Sequence, residues 1–308
     1  MTGRRHSLAA LALLAAAPGQ ALAQEASDDH PRPGAGIELF ASTDADHTDI
    51  VRVSARALLE YGGADRYRGV VLERVWFTPF GQETRKEERA YLDIADAAGD
   101  WRWKARIGSD GHTVLGAASI RKDDWSREFF VEREIIETPM GLDRGIYYTF
   151  AGASFDLPVD ERNVFTAMAG VQEFTGRNVR LHLRGSYVNV IRPDWGLSAQ
   201  LRARYYHSTE PGEFDYYSPR DYLQVLPMLQ LRRFDRGGWE YRAQAAYGAQ
   251  HAGGAGWFDS RYTNLRVTSP RSGHGWELQA EATYSNTSAT SGPDYDYVMG
   301  RFGIAWAF

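Results

Sequence analysis

The 308-residue chain contains no cysteine. That excludes disulfides, thiolate-held metals and a lipid-modified amino-terminal cysteine. It also lacks any run of about 20 apolar residues, the length a membrane-crossing helix needs. A nucleic-acid binder would carry a basic excess, whereas here 35 Lys and Arg face 40 Asp and Glu, for a formal net charge of −5. No glycine-rich phosphate loop is present, and no compact His/Asp/Glu cluster has metal-ligand spacing, so no cofactor is expected.

What the chain does have begins at its amino terminus. Arg4 and Arg5 precede an apolar stretch from Leu8 to Ala17, broken by Pro18 and Gly19. Ala21-Leu22-Ala23 then offers a small-x-small cleavage site before Gln24. Basic, apolar and small residues in that order predict a secretory signal peptide over residues 1–23, cleaved near Ala23. Its loss removes two arginines and leaves the remainder more acidic. Residues 24–35, rich in Asp, Pro, Gly and Ala, read as a flexible periplasmic leader.

From residue 36 to 308 the pattern has a period of two, the mark of strands with unlike faces. Leu197, Ala199, Leu201, Ala203 and Tyr205 alternate with Ser198, Gln200, Arg202, Arg204 and Tyr206. Val51 to Tyr61, Trp239 to Gln250 and Trp276 to Ser285 behave in the same way, the first with Tyr61 on its apolar face. Counting strands and turns predicts sixteen, an even number as bacterial outer-membrane barrels require. The register between Arg66 and Thr138 stays open. The mean hydropathy of −0.46 does not oppose membrane insertion, because only alternate residues of such a barrel meet lipid. The fold class expected is therefore all-β, a transmembrane antiparallel up-and-down barrel of about sixteen strands in the bacterial outer membrane.

Orientation follows from energy. An arginine on the lipid side at the bilayer midplane costs about 2–4 kcal/mol, so Arg202 and Arg204 should point inward. The apolar face also ends in Trp239, Trp276, Tyr205, Tyr247 and Tyr284, amphipathic rings suited to a membrane interface. With both ends periplasmic, the outward loops (208–220, 252–256 and 287–294 among them) are longer than inward turns such as Ile191-Arg192-Pro193 and Asp235-Arg236-Gly237-Gly238. The last strand closes on Phe302-Gly303-Ile304-Ala305-Trp306-Ala307-Phe308. It resembles the insertion signal read by the barrel assembly machinery.

A sixteen-strand barrel is too wide for its wall side chains to fill. The inward positions collect Arg52, Arg56, Arg180, Arg184, Arg202, Arg204, Arg232 and Arg242, with Arg102, Lys104, Arg106, Arg266 and Arg301. The acids placed there are fewer: Glu60, Glu240, Glu277 and Glu281. A basic-leaning lumen would favour anionic cargo. The alternative is that these cations pair with acids from the strands of open register.

A second group is aromatic. Phe214-Asp215-Tyr216-Tyr217-Ser218-Pro219-Arg220-Asp221-Tyr222 spans the longest outward loop and the start of the next strand. Rings flanked by Asp and Arg suit sugars; the competing reading is an interfacial girdle with a proline turn. Tyr216, Tyr217, Pro219 and Tyr222, followed by an alternating strand and Trp239-Glu240-Tyr241, resemble the carboxy-terminal barrels of bacterial exopolysaccharide export porins, those for cellulose and poly-N-acetylglucosamine. The resemblance is sharp over roughly 205–250. It implies sixteen strands, a polysaccharide cargo and a helical-repeat domain before the barrel. Here only about a dozen residues precede the first expected strand, so a separate periplasmic repeat protein is the implied partner.

A barrel enzyme is a third possibility. His182 and Ser186 both face inward, and His207 adjoins Ser208, but neither pair has an evident third partner. No catalytic residue is expected. A general or anion-preferring diffusion channel remains the main alternative to export.

Overall fold

The computed structural model describes residues 32–270, 275–286 and 296–308. The expected signal peptide, residues 24–31 of the expected leader and the 287–294 loop lie outside the described residues. Sixteen strands follow one another: β1 Arg32–Asp44, β2 Asp49–Gly63, β3 Arg66–Thr78, β4 Arg85–Ala98, β5 Trp101–Ser109, β6 Val114–Lys122, β7 Arg127–Ile135, β8 Tyr147–Pro158, β9 Asn163–Phe174, β10 Val179–Arg192, β11 Leu197–Ser208, β12 Asp221–Phe234, β13 Glu240–Ala252, β14 Trp257–Thr268, β15 Trp276–Ser285 and β16 Tyr297–Ala307. Each is antiparallel to its sequence neighbour, and β1 pairs with β16 to close a barrel. Closure leaves no backbone edge, which a hydrocarbon surrounding demands.

The alternation sorts the side chains as the arginines require. On β11, Ser198, Gln200, Arg202, Arg204 and Tyr206 are sheltered or partly so, while Leu201 on the other face is 49% exposed. Leu183, Leu229 and Leu265 on neighbouring strands share that outward apolar surface. Aromatic rings mark its two borders. Trp239 and Trp276 lie together near the rim where the chain ends meet, their rings 6.2 Å apart. Tyr205 and Tyr284 stand toward the opposite, distal rim, and their hydroxyls donate to Asp221 at 2.7 Å and Asp296 at 2.6 Å. Half-exposed rings on the apolar face with hydroxyls reaching rim carboxylates are what an interface favours.

Turns at the proximal rim are tight. Asp235 accepts the Gly237 and Trp239 N–H groups at 2.7 and 3.0 Å, closing the expected Asp235–Gly238 turn. The expected Ile191–Pro193 turn is displaced: β10 runs on to Arg192, and a 3-10 helix, Pro193–Trp195, carries the reversal. Gly196 ends that helix at φ 66°, in the left-handed region. An added Cβ there would collide with the Arg232 carbonyl oxygen, so glycine is required twice over.

Three local expectations need correction. Strand β1 starts at Arg32, not at 36, so Arg32–Ala35 belong to the barrel and not to a leader. In β2 the register shifts between Leu58 and Glu60. The extra residue turns Tyr61 into the lumen, where its hydroxyl donates to Glu277 at 2.7 Å. Glu60 moves with it to the outer face, where Arg68 lies 3.6 Å from Glu60 and 3.1 Å from Asp96. Between β7 and β8 stands a short helix, α1, Pro139–Arg144, in a chain for which only strands and turns were expected.

Candidate lumen and its plug

Helix α1 starts from a local code. Thr138 is its N-cap, accepting the Gly141 N–H at 3.1 Å, and Pro139 fills the first helical position, where a missing N–H does no harm. The helix is anchored from three directions. Glu137, just before it, pairs with Arg52 of β2. Asp143 pairs with Arg85 of β4 at 2.6 Å. Asp215, from the loop between β11 and β12, accepts the Thr138 hydroxyl at 2.6 Å and the Met140 N–H at 2.7 Å. Two distal loops, from well-separated strands, thus meet across the mouth.

The aromatic loop motif serves this arrangement. Tyr216 is buried and stacks on Phe174 at 4.5 Å, while the Asn178 amide donates to its hydroxyl at 2.9 Å. Tyr222 is fully buried, stacks on Tyr206 at 4.8 Å and donates to Gln250 at 2.7 Å. The Tyr217 carbonyl accepts from Arg180 at 2.7 Å, and Pro219 is half-buried in the same loop. The expectation of rings presented to sugars is corrected for Tyr216 and Tyr222: both are buried, each stacked on a neighbouring ring with its hydroxyl engaged. Glu213 completes the seat by accepting the Arg177 and Asn178 N–H groups at 2.8 and 2.9 Å.

Below the plug the barrel is filled on one side. Ile50, Val75 and Phe77 point inward yet have no exposure, packed with Phe40, Tyr91 and Tyr297 and touched by Leu142 of α1. An inward side chain without exposure cannot line an open channel at its level. Farther down, inward Lys104 and Ala117 are exposed, so the lumen opens toward the proximal rim. At the distal rim, burial tends to raise the Asp110 carboxyl. The Thr113 and His112 N–H groups and the Tyr147 hydroxyl outweigh that and hold it below the ordinary carboxylate range.

Most of the expected lumen arginines do face inward, but the basic-leaning wall as a whole is corrected. The strands of open register supply the missing acids. Arg56 meets Glu38 at 2.8 Å, and Arg106 meets Asp93 at 2.7 Å. Arg232 and Arg242 share Glu240 at 2.8 and 2.7 Å, and Arg266 meets Glu281 at 2.8 Å. Arg89, unremarked in the sequence, has a side chain only 1% exposed and gathers Glu87, Glu134 and Glu73 at 2.9, 3.3 and 3.4 Å. Arg180 is buried beneath the loop, its Nε donating to Ser208 at 3.1 Å. Arg184, Arg202 and Arg204 sit on the β10–β11 wall, where Arg202 and Arg204 have no carboxylate within ion-pair distance among the described residues.

The histidine pairs do not assemble into a catalytic set. His182 Nε2 lies 2.9 Å from the Gln172 amide oxygen and packs on the Phe150 ring; the Ser186 hydroxyl is buried with no hydrogen-bond partner. His207 contacts Asp221 at 2.9 Å, but Ser208 faces the other way and serves Arg180.

Closure, strand number and the inward loops decide the fold. It is that of a porin-like outer-membrane barrel. A solved structure described as a bacterial polysaccharide outer membrane secretin superposes with a TM-score of 0.66 at 13% identity, covering 91% of this chain and 100% of that one. A KdgM porin aligns at 10% identity and TM-score 0.36, over 89% of this chain and 99% of its own. OprD of Pseudomonas aeruginosa aligns at 9% and 0.43, over 92% and 96%. No family model and no curated protein matches the chain. These neighbours are porins and transport barrels.

Proposed function

We propose that the chain is an outer-membrane conduit that takes part in exporting a polysaccharide. The observation that carries this reading is the plugged mouth, in which α1 and the 209–220 loop are held by Glu137, Asp143 and Asp215. A conduit for a polymer spends most of its time empty and must not leak small solutes meanwhile. The full-length likeness to the polysaccharide secretin barrel supports the same reading. Beyond the lumen, the reading includes lipid around the apolar face, assembly through the strand that ends at Phe308, and a separate periplasmic repeat protein that delivers the polymer.

Deletion in the native host should leave polymer synthesised but retained inside the outer membrane. Normal surface polysaccharide in the deletion strain would overturn the reading. A second reading, a diffusion channel, is favoured by a different observation: Arg202 and Arg204 on the β10–β11 wall have no carboxylate within ion-pair distance among the described residues, and a locally positive wall suits the sorting of small ions. Planar-bilayer recording separates the two. A large, steadily open conductance of the isolated protein supports diffusion, and a closed or flickering one supports export.

A further inference from the structure

Four places in the barrel set two arginines directly opposite each other on adjacent strands: Arg102 and Arg121, Arg232 and Arg242, Arg242 and Arg266, and Arg184 and Arg204. Cross-strand partners share a face at close range, and like charges so placed destabilise a sheet. In the first three pairs a carboxylate relieves every arginine. Arg102 has Asp123 at 2.7 Å and Arg121 has Asp65 at 2.8 Å. Glu240 serves Arg232 and Arg242, and Glu281 serves Arg266.

The fourth pair breaks the rule. Arg184 interacts electrostatically with Glu132 of β7, but Arg204 has no carboxylate within ion-pair distance among the described residues. Instead its guanidinium sits over the Tyr206 and Tyr222 rings at 5.5 and 5.6 Å. The next inward pair is Ser186 opposite Arg202, which also has no acid within ion-pair distance among the described residues and contacts Gln200, at 3.3 Å, and Tyr262. Donor capacity here is unspent: Arg204 Nε and Ser186 Oγ are buried without hydrogen-bond partners. The cluster lies on mid-strand positions of β10 and β11, below the level of α1 and the 209–220 loop.

We propose that Arg184, Arg202, Arg204 and Ser186 form a binding subsite for the carboxylate of an acidic sugar, so that the cargo supplies the acid the wall omits. Arg202 and Arg204 give charge-assisted hydrogen bonds to the carboxylate oxygens, Arg184 adds attraction, and the Ser186 hydroxyl donates to a ring or hydroxyl oxygen. The tyrosines hold Arg204 in place without neutralising it. This inference deepens the polysaccharide reading by naming the class of polymer, one that carries carboxylates.

The test is calorimetric binding of an oligouronate of defined length to the purified full chain in detergent, beside a neutral glucose oligomer of equal length. The wild type should prefer the uronate by about ten-fold or more, the worth of one charged hydrogen bond, and the preference should shrink as salt rises. R204Q and R202Q should each remove it, leaving the neutral oligomer unaffected; retained heat-modifiable mobility on electrophoresis confirms that each variant is folded. Equal affinity for the two oligomers, or a preference that survives both substitutions, overturns the subsite. Failure is separable from that of the export reading. Blocked secretion in the deletion strain with no uronate preference sinks only the subsite, whereas normal secretion with a strong, Arg204-dependent preference sinks only the export role.

Discussion

Asp215 and Thr138 lie 77 positions apart in sequence, yet the Thr138 hydroxyl donates to the Asp215 carboxylate at 2.6 Å. Thr138 in turn caps α1, so one carboxylate governs both the start of a helix and the docking of two loops. Asp215→Ala should cost about 1 kcal/mol, the usual worth of a helix cap, and that loss falls on the plug and not on the barrel. Single-channel recording should show longer or larger openings than the wild type. A trace indistinguishable from wild type would show that the plug does not depend on this contact.

Arg89 gives a different prediction. Three carboxylates surround a side chain with almost no exposure, and removing the cation leaves Glu73, Glu87 and Glu134 facing one another. Arg89→Leu should destabilise the barrel by about 3–5 kcal/mol, as breaking a buried ion network does. Urea unfolding from lipid vesicles measures it. A loss below about 1 kcal/mol would mean that water screens the cluster as at a surface.

The outward face can be tested by contrast on one strand. Leu201→Arg places a cation on the apolar face and should cost about 2–4 kcal/mol near mid-depth. Gln200→Arg, one residue away on the inner face, should cost far less. Equal penalties in a folding titration would contradict the assignment of faces.

Gly196→Ala should impair assembly through strain and collision together, since φ is 66° and the Arg232 carbonyl occupies the Cβ position. About 1–3 kcal/mol follows from the dihedral alone. The measurement is the folded fraction by electrophoretic mobility, and wild-type yield would require the turn to re-form elsewhere.

Much of this was written in the sequence where one face is plainly apolar. Leu197–Tyr206 allows one register only, because the other exposes Arg202 and Arg204 to hydrocarbon. The pattern fails where strands rise past the apolar band. Arg85-Lys86-Glu87-Glu88-Arg89 is charged at five consecutive positions, so a period of two has nothing to distinguish. That is why alternation alone assigns no face to Glu73, Asp93 and Glu134, the acids that balance the lumen. Glu60 was misplaced by a bulge at Leu59, a backbone event without a strong residue code. Helix α1 did carry a signal: Thr-Pro is a capping residue followed by a proline suited to the first turn. The aromatic loop is conspicuous, but only packing reveals that Tyr216 and Tyr222 are buried against their neighbours.

The seam between β1 and β16 has a kinetic consequence. Every other pairing joins strands adjacent in the chain, so each can form as a local hairpin at a small entropic cost. The seam alone must bring Gly34 to Ala307 and Asp44 to Tyr297, and nearly the whole loop-closure entropy of the molecule falls on that one zipper. Until it shuts, two rows of amides lie bare, and the half-built sheet has nowhere stable to reside in oil.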